Sequence, residues 1–143
     1  MYSHIFVDVN VWVDLFDVRR PFHQASRSSI RYLLQQESAL LYTSCDIITT
    51  VYYLLSKKGA EVALGAIEYV NTFCTVIEFG NTEIAQSTRI MKDNADFTDL
   101  EDTIQYVMAQ KIHADLILSN DSGFVGDGID VMGTEEFCEK MGI

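Results

Sequence analysis

A chain of 143 residues with 48% apolar residues and a single proline can bury one substantial core and is short for two domains. Its formal charge of −11, from 21 acidic against 10 basic residues, argues against a protein that grips nucleic acid by a broad basic face. It leaves open an acidic cleft that meets phosphate through a divalent cation. No apolar run approaches the roughly 20 residues that cross a bilayer, and no basic segment leads into a long apolar stretch at the start, so a soluble cytoplasmic protein is expected.

In chain order, apolar runs that read as buried strands alternate with longer segments of helical period, the pattern of an α/β fold with a parallel sheet. Ile5–Val9 reads as a strand that stops on Asp8, and Asn10 leads into a second apolar segment. Phe22–Gln36 reads as a helix and Leu40–Thr43 as a strand. Ile47–Lys58 reads as a helix ended by Lys57, Lys58 and Gly59, a basic last turn followed by a glycine stop. Ala60–Phe73 and Thr82–Asn94 follow as helices around the strand Thr75–Ile77, with Asn81 a candidate cap and Glu83 in the first turn. Leu100–His113 is a helix, Asp115–Leu118 a strand, Ile129–Val131 a weaker strand, and Thr134–Met141 a closing helix. No repeat, low-complexity tract or linker divides the chain, so residues 1–143 are read as a single domain of four to five strands.

Cys45, Cys74 and Cys138 are widely spaced, odd in number and set among apolar neighbours, which suits small core residues better than a disulfide frame or zinc site. His4, His23 and His113 lie at unrelated spacings and read as surface or packing residues.

The acidic residues carry more information. In folds of this type chemistry lies beyond the carboxyl ends of the strands, where the strand order reverses. Asp8 ends the first strand, and a carboxylate at the end of a buried strand is costly unless something pairs with it. Asp121 follows a later strand in "LILSNDSGF", with Ser119 between. In "DFTDLEDTIQYVMAQ", Asp96, Asp99 and Asp102 are spaced by three at a helix start, which puts Asp99 and Asp102 on one face. Asp96 reads as a cap or loop residue, and Glu101 as a solvated residue pointing away from Asp99 and Asp102. Asp102 lies close to the apolar side formed by Ile104, Val107 and Met108. Carboxylates that share a site repel one another, so some are protonated or a cation is present. An all-oxygen donor set favours Mg²⁺ or Mn²⁺, and such an ion can activate water against a phosphodiester.

These stretches resemble the PIN domain, in particular the branch of VapC ribonuclease toxins. "FVDVNVWVDLF" is similar to the family's opening strand and its metal-binding aspartate, which puts that role on Asp8 with Asn10 supporting it. "RRPFHQAS" resembles a loop and helix start of one bacterial branch. "DFTDLEDTIQYVMA" looks like the central acidic motif, with Asp102 opening the long helix and Asp99 a turn before it. "LILSNDSGF" looks like the late strand and its Ser-x-Asp turn, giving Ser119 and Asp121.

The resemblance implies a three-layer α/β/α fold, a ribonuclease whose Asp8, Asp99, Asp102 and Asp121 hold Mg²⁺ or Mn²⁺, an RNA substrate, a homodimer and an antitoxin partner. Arg19 and Arg20 are the local candidates for phosphate contact. Trp12, Phe16, Tyr52 and Tyr53 are read mainly as core, with dimer surface or antitoxin groove as the other uses. One departure touches activity: Thr50 stands where the family commonly carries a glutamate. Asp46, one turn earlier, either caps that helix or supplies a substitute carboxylate, and the Thr50 hydroxyl could hold a metal-bound water. A PIN-like binding module that has lost catalysis is therefore the alternative. A haloacid-dehalogenase-type phosphotransferase fits less well, because Asn10 stands where that family has a second aspartate and no suitably placed lysine is evident. A receiver domain fits worse, lacking the acidic pair, the middle-strand phosphoacceptor and the late-strand lysine.

Overall fold

The computed structural model describes residues Met1–Ile143. Five short strands, β1 (His4–Val7), β2 (Leu40–Ser44), β3 (Thr75–Ile77), β4 (Leu116–Leu118) and β5 (Asp130–Met132), form one parallel sheet in the order β3-β2-β1-β4-β5. Parallel strands covered on both faces need no alternation, and Ile5, Phe6, Val7, Leu116, Ile117 and Leu118 are all fully buried.

The helices are α1 (Val9–Phe16), α2 (His23–Leu34), α3 (Cys45–Leu55), α4 (Ala60–Phe73), α5 (Asn81–Asp93), α6 (Leu100–Lys111) and α7 (Thr134–Met141), with a 3₁₀ turn at Ser56–Lys58. The chain steps outward from β1 through β2 to β3, then returns across the sheet to β4 beside β1. Right-handed crossovers in opposite directions place α1 to α4 on one face and α5 with α6 on the other. The packing agrees: α1 contacts α2, α3 and α4, α2 contacts α7, and α5 packs on α6. One apolar cluster of 27 residues, anchored by Trp12, Phe6, Phe137 and Met108, runs through the layers. Each of its large side chains contributes about 1.5–3 kcal/mol on full burial.

Five details depart from the sequence reading. Val9 starts a helix and does not end the strand, because the Asp8 side chain accepts from Val9 N at 2.7 Å and caps α1. The long third helix ends as α at Leu55 and tightens into the 3₁₀ turn, which Gly59 stops at φ +113° as expected of a glycine there. Asn81 lies inside α5, whose cap is Gly80 with its N–H donating to Glu83. Of the cysteines, Cys74 is buried and Cys138 half-buried, but Cys45 is exposed in the first turn of α3, which turns it off the core face. Trp12 is core and Phe16 half-buried, whereas Tyr52 and Tyr53 are 39% and 65% exposed on the outer side of α3.

The reversal of strand order opens the crevice between the ends of β1 and β4. Register sets its floor: Val7 pairs with Leu118, and Asp8 N donates to Leu118 O at 3.0 Å. Asp8 and Ser119 therefore leave the sheet at the same level. Ser119 N donates to Met132 O, which brings the start of α7 to that level too.

Candidate active site

Asp8 is 2% exposed, and burial of its carboxylate is balanced by local donors. Oδ1 accepts from Val9 N, and Oδ2 accepts from Asn10 Nδ2 at 3.1 Å and Ser119 Oγ at 2.7 Å. Desolvation nevertheless pushes its pKa up, with the charge of Asp121 adding to that, against the hydrogen bonds from Ser119 and Val9 and the nearby Gln105 amide. Ser119 Oγ also accepts from Asp121 N at 3.1 Å, so one hydroxyl ties the two carboxylate-bearing segments together. Asp121 is exposed, its Oδ1 taking Gly123 N at 2.9 Å.

α6 supplies the facing wall. Asp99 caps the helix, accepting Asp102 N on Oδ1 at 2.9 Å, so the capping role falls to Asp99. Asp96 lies before it in a loop, its N–H donating to Asn94 Oδ1. Asp102 is half-buried and its carboxyl is pushed up to about 7, by desolvation first and then by the charges of Asp8, Asp99, Asp121 and Glu101. Glu101 is exposed, as a solvated residue would be. Its pKa is nevertheless raised, by desolvation first and then by the charges of Asp46, Asp8 and Asp99. Six carboxylates from β1, α3, α6 and the β4 turn thus share one field.

α3 completes the rim. Ser44, not Asp46, is the N-cap, and Ser44 Oγ donates to the Asp46 carboxylate in the first turn. Thr50 is half-buried with its hydroxyl donating to Asp46 O at 3.3 Å, so its proton is spent within the helix. Arg19 is 74% exposed, its Nε 3.3 Å from Asp17. Arg20 is drawn elsewhere: its Nε donates to Asp14, a carboxylate only 1% exposed on α1.

Three residues were missed in the sequence. Asn120 N donates to Asn10 Oδ1 at 2.9 Å, and its side chain donates to Asp14 Oδ2 at 2.7 Å and Ser26 Oγ at 3.1 Å. Its Oδ1 accepts from Thr134 N and Thr134 Oγ1. Asp14 could have been found, since Asn10 and Asp14 are i and i+4 on one face once α1 is recognised as a helix. Gln105 lies one turn beyond Asp102. Its amide is fully buried and faces Asp8 without closing a well-directed hydrogen bond, and neither Nε2 nor Oε1 has a partner.

No three histidine, cysteine or acidic side chains close round one point as a ready-made ion cage would. His4 stacks on Tyr42, and His23 Nδ1 contacts Asp14 O at 2.9 Å. The donors on the crevice are oxygens on an open rim, which suits a hard cation bound by a few carboxylates and several waters.

The PIN domain profile matches residues 5–125. The chain belongs to the PIN domain family. It is 48% identical to Ribonuclease VapC1 of Aquifex aeolicus over 136 residues, covering 95% of this chain and 94% of that protein. The solved structure of VapC20 from Mycobacterium tuberculosis, described as a sarcin-ricin loop cleaving toxin, superposes with a TM-score of 0.69 at 17% identity, over 85% of this chain and 97% of that one. VapBC2 of Rickettsia felis, solved bound to a DNA fragment from its promoter, gives 0.68 at 11% identity over 91% and 98%. At these identities the two structures speak for the fold: this PIN domain has their parallel α/β sheet.

Proposed function

We propose that this PIN domain is a metal-dependent endoribonuclease, the toxin of a toxin–antitoxin pair, acting on RNA in the cytoplasm as a single folded unit that forms a homodimer. The observation that carries the reading is the crevice itself. Burial, and then the charges of carboxylates brought there by four separate elements, raise the pKa of Asp8, Glu101 and Asp102 with no basic side chain among them, in a chain 48% identical to a protein named a ribonuclease.

Asp8, Asp102 and Asp121, with Asp99 beside them, would hold one or two Mg²⁺ or Mn²⁺. Bound there, such an ion supplies an activated water and stabilises charge on a phosphoryl oxygen. The chain's own groups prepare that arrangement. Ser119 and Asn10 fix the Asp8 carboxylate, and Ser119 sets the Asp121 backbone relative to it. Asp102, with its carboxyl at about 7, is protonated about half of the time at neutral pH when nothing offsets the surrounding charge. Asp46 and Glu101 add carboxylates on the side where Thr50 lacks one. Arg19, exposed and paired only with Asp17, is the more available of the two for a phosphate, and Arg20 is less so while it holds Asp14.

VapBC-type complexes among the similar structures support an antitoxin partner. A groove of 530 Å³ walled by Leu15, Phe16 and Tyr69 and flanked by Arg27 and Arg31 suits an amphipathic, acidic segment of that partner. The exposed Tyr52 and Tyr53 suit the homodimer contact.

The test is incubation of purified protein with a mixed RNA pool and Mn²⁺ or Mg²⁺, beside Asp8→Asn and Asp102→Asn and an EDTA control. Metal-dependent cleavage lost in both variants is expected. A wild type that neither cleaves nor binds metal by calorimetry leaves a PIN-like binding module.

A further inference from the structure

Beside Asp121, on the side away from α6, lies a second cleft of 380 Å³. Its floor is the Ser119–Asp121 turn and Gly133. Phe22 and Phe124 stand in its walls, and Glu135 and Glu136 come from the first turn of α7. Both glutamates are exposed, and all four side-chain ion pairs of the chain lie elsewhere.

The lining narrows what fits. No basic side chain lines the cleft, so it has no seat for a phosphate, which would lie outside it. With Asp121 serving the crevice, two exposed glutamates of one helical turn remain, too few oxygens to hold a bare cation. A flat group with an apolar face and a donor edge meets both requirements, because aromatic rings stack on any base face and carboxylates only accept hydrogen bonds. Among bases, guanine alone presents ring and amino N–H groups side by side to one carboxylate, while uracil turns carbonyl oxygens toward it.

We propose that this cleft is a nucleobase subsite that seats a guanine of the RNA next to the scissile phosphodiester, with Phe22 stacking on the base and Glu135 or Glu136 reading its donor edge. The proposal rests on the ribonuclease reading and adds the base it selects. An arginine side chain from a protein partner is also planar with parallel donors, but a cleft of this volume leaves a guanidinium loose where a purine reaches both rings.

Binding can be read without cleavage. ¹⁵N-labelled wild-type protein in EDTA is titrated with GMP, AMP, CMP, UMP and N-acetyl-argininamide, following the amides of Ser122, Gly133 and Glu135. GMP is expected to bind about tenfold more tightly than UMP, the discrimination of one good bidentate contact. Glu135→Gln combined with Glu136→Gln erases that preference, and Phe22→Ala weakens all four nucleotides, each variant's amide spectrum reporting that it is folded. In parallel, wild-type protein with Mn²⁺ is expected to cut an RNA pool with guanine enriched at one flank of the cleavage site, and the double glutamine variant to lose that enrichment.

Cleavage with no base preference and no nucleotide shifts at these amides overturns the subsite while the nuclease stands. Tighter binding of the argininamide than of GMP overturns it in favour of a protein side chain. GMP binding without any RNA cleavage supports the subsite and removes the ribonuclease reading instead.

Discussion

Two polar regions flank the crevice and are built on opposite principles. On the β4–α7 side, Asp14, Asn120, Ser26 and Thr134 are buried or half-buried and mutually bonded: each Asp14 oxygen has a donor, both Asn120 amide atoms are engaged, and Arg20 closes the outer end. On the α6 side, Asp102 and Glu101 feel other carboxylates with no basic side chain among them, and buried Gln105 bonds to no other side chain or backbone group. A satisfied network holds geometry at little energetic cost, whereas unpaired buried groups cost stability and persist where something else is to be bound. The first region sets where Ser119 and Asp121 stand, and the second leaves room for a ligand.

The largest effect should come from breaking the satisfied side. Asn120→Ala removes the donors to Asp14 and Ser26 and the acceptor of Thr134 at once. With buried groups costing about 1–3 kcal/mol each when left unpaired, it should lose about 3 kcal/mol in urea unfolding. It should lose RNA cleavage as well, because the Ser119–Asp121 turn is no longer tied through the Asn120 amide to Asp14 and Thr134. A small stability change would show that the network is not what fixes the turn.

The unsatisfied side should respond with the opposite sign. Gln105→Met keeps the shape and removes two orphaned polar atoms, so it should stabilise the fold by about 1 kcal/mol while lowering Mn²⁺ affinity and cleavage. An amide that serves only packing would give lower stability with metal binding unchanged.

Much of this was legible in the sequence and some was not, for physical reasons. Strand existence and order of motifs follow from apolar runs closed by Asp8 and Asp121, because fully buried parallel strands leave no other pattern. The first helix was obscured because "VNVWVDLF" is apolar and β-branched, and only the Asp8 cap decides it; with that helix unseen, the shared face of Asn10 and Asp14 was unseen too. The spacing of Glu101 relative to Asp99 and Asp102 gives its exposure but says nothing of α3, which brings Asp46, 55 residues earlier in the chain, into the field that raises the Glu101 pKa.

The electrostatic difference predicts a pH effect of intermediate size. The Asp102 carboxyl sits at about 7 in the fold against the ordinary value near 3.8, so its ionised form is disfavoured by folding. Stability from this group is full below the unfolded value and falls as pH rises through about 7. Metal-free protein should therefore melt at a higher temperature at about pH 5.5 than at about pH 8. Asp102→Asn should flatten that slope, and so should saturating Mn²⁺, which favours the charged form. Protons and metal compete for the same oxygens, so Mn²⁺ affinity should rise as pH rises across the same interval. A slope unaltered in Asp102→Asn would assign the effect to Asp8 or Glu101.

The smallest expected effect concerns whether the unsatisfied side lacks a carboxylate or has moved it. Thr50→Glu adds an acid one turn along α3 from Asp46, into a field that already holds Asp46 and Glu101. If those two already supply the charge, the added glutamate should change Mn²⁺ affinity by no more than a fewfold, because like charges nearby raise its pKa and blunt its gain. In an Asp46→Asn background the field is weaker and the gain should be larger, restoring the affinity that Asp46→Asn removes. A large gain in the wild-type background would mean that Asp46 and Glu101 stand in the field without reaching the ion, and that Thr50 leaves a vacancy neither of them fills.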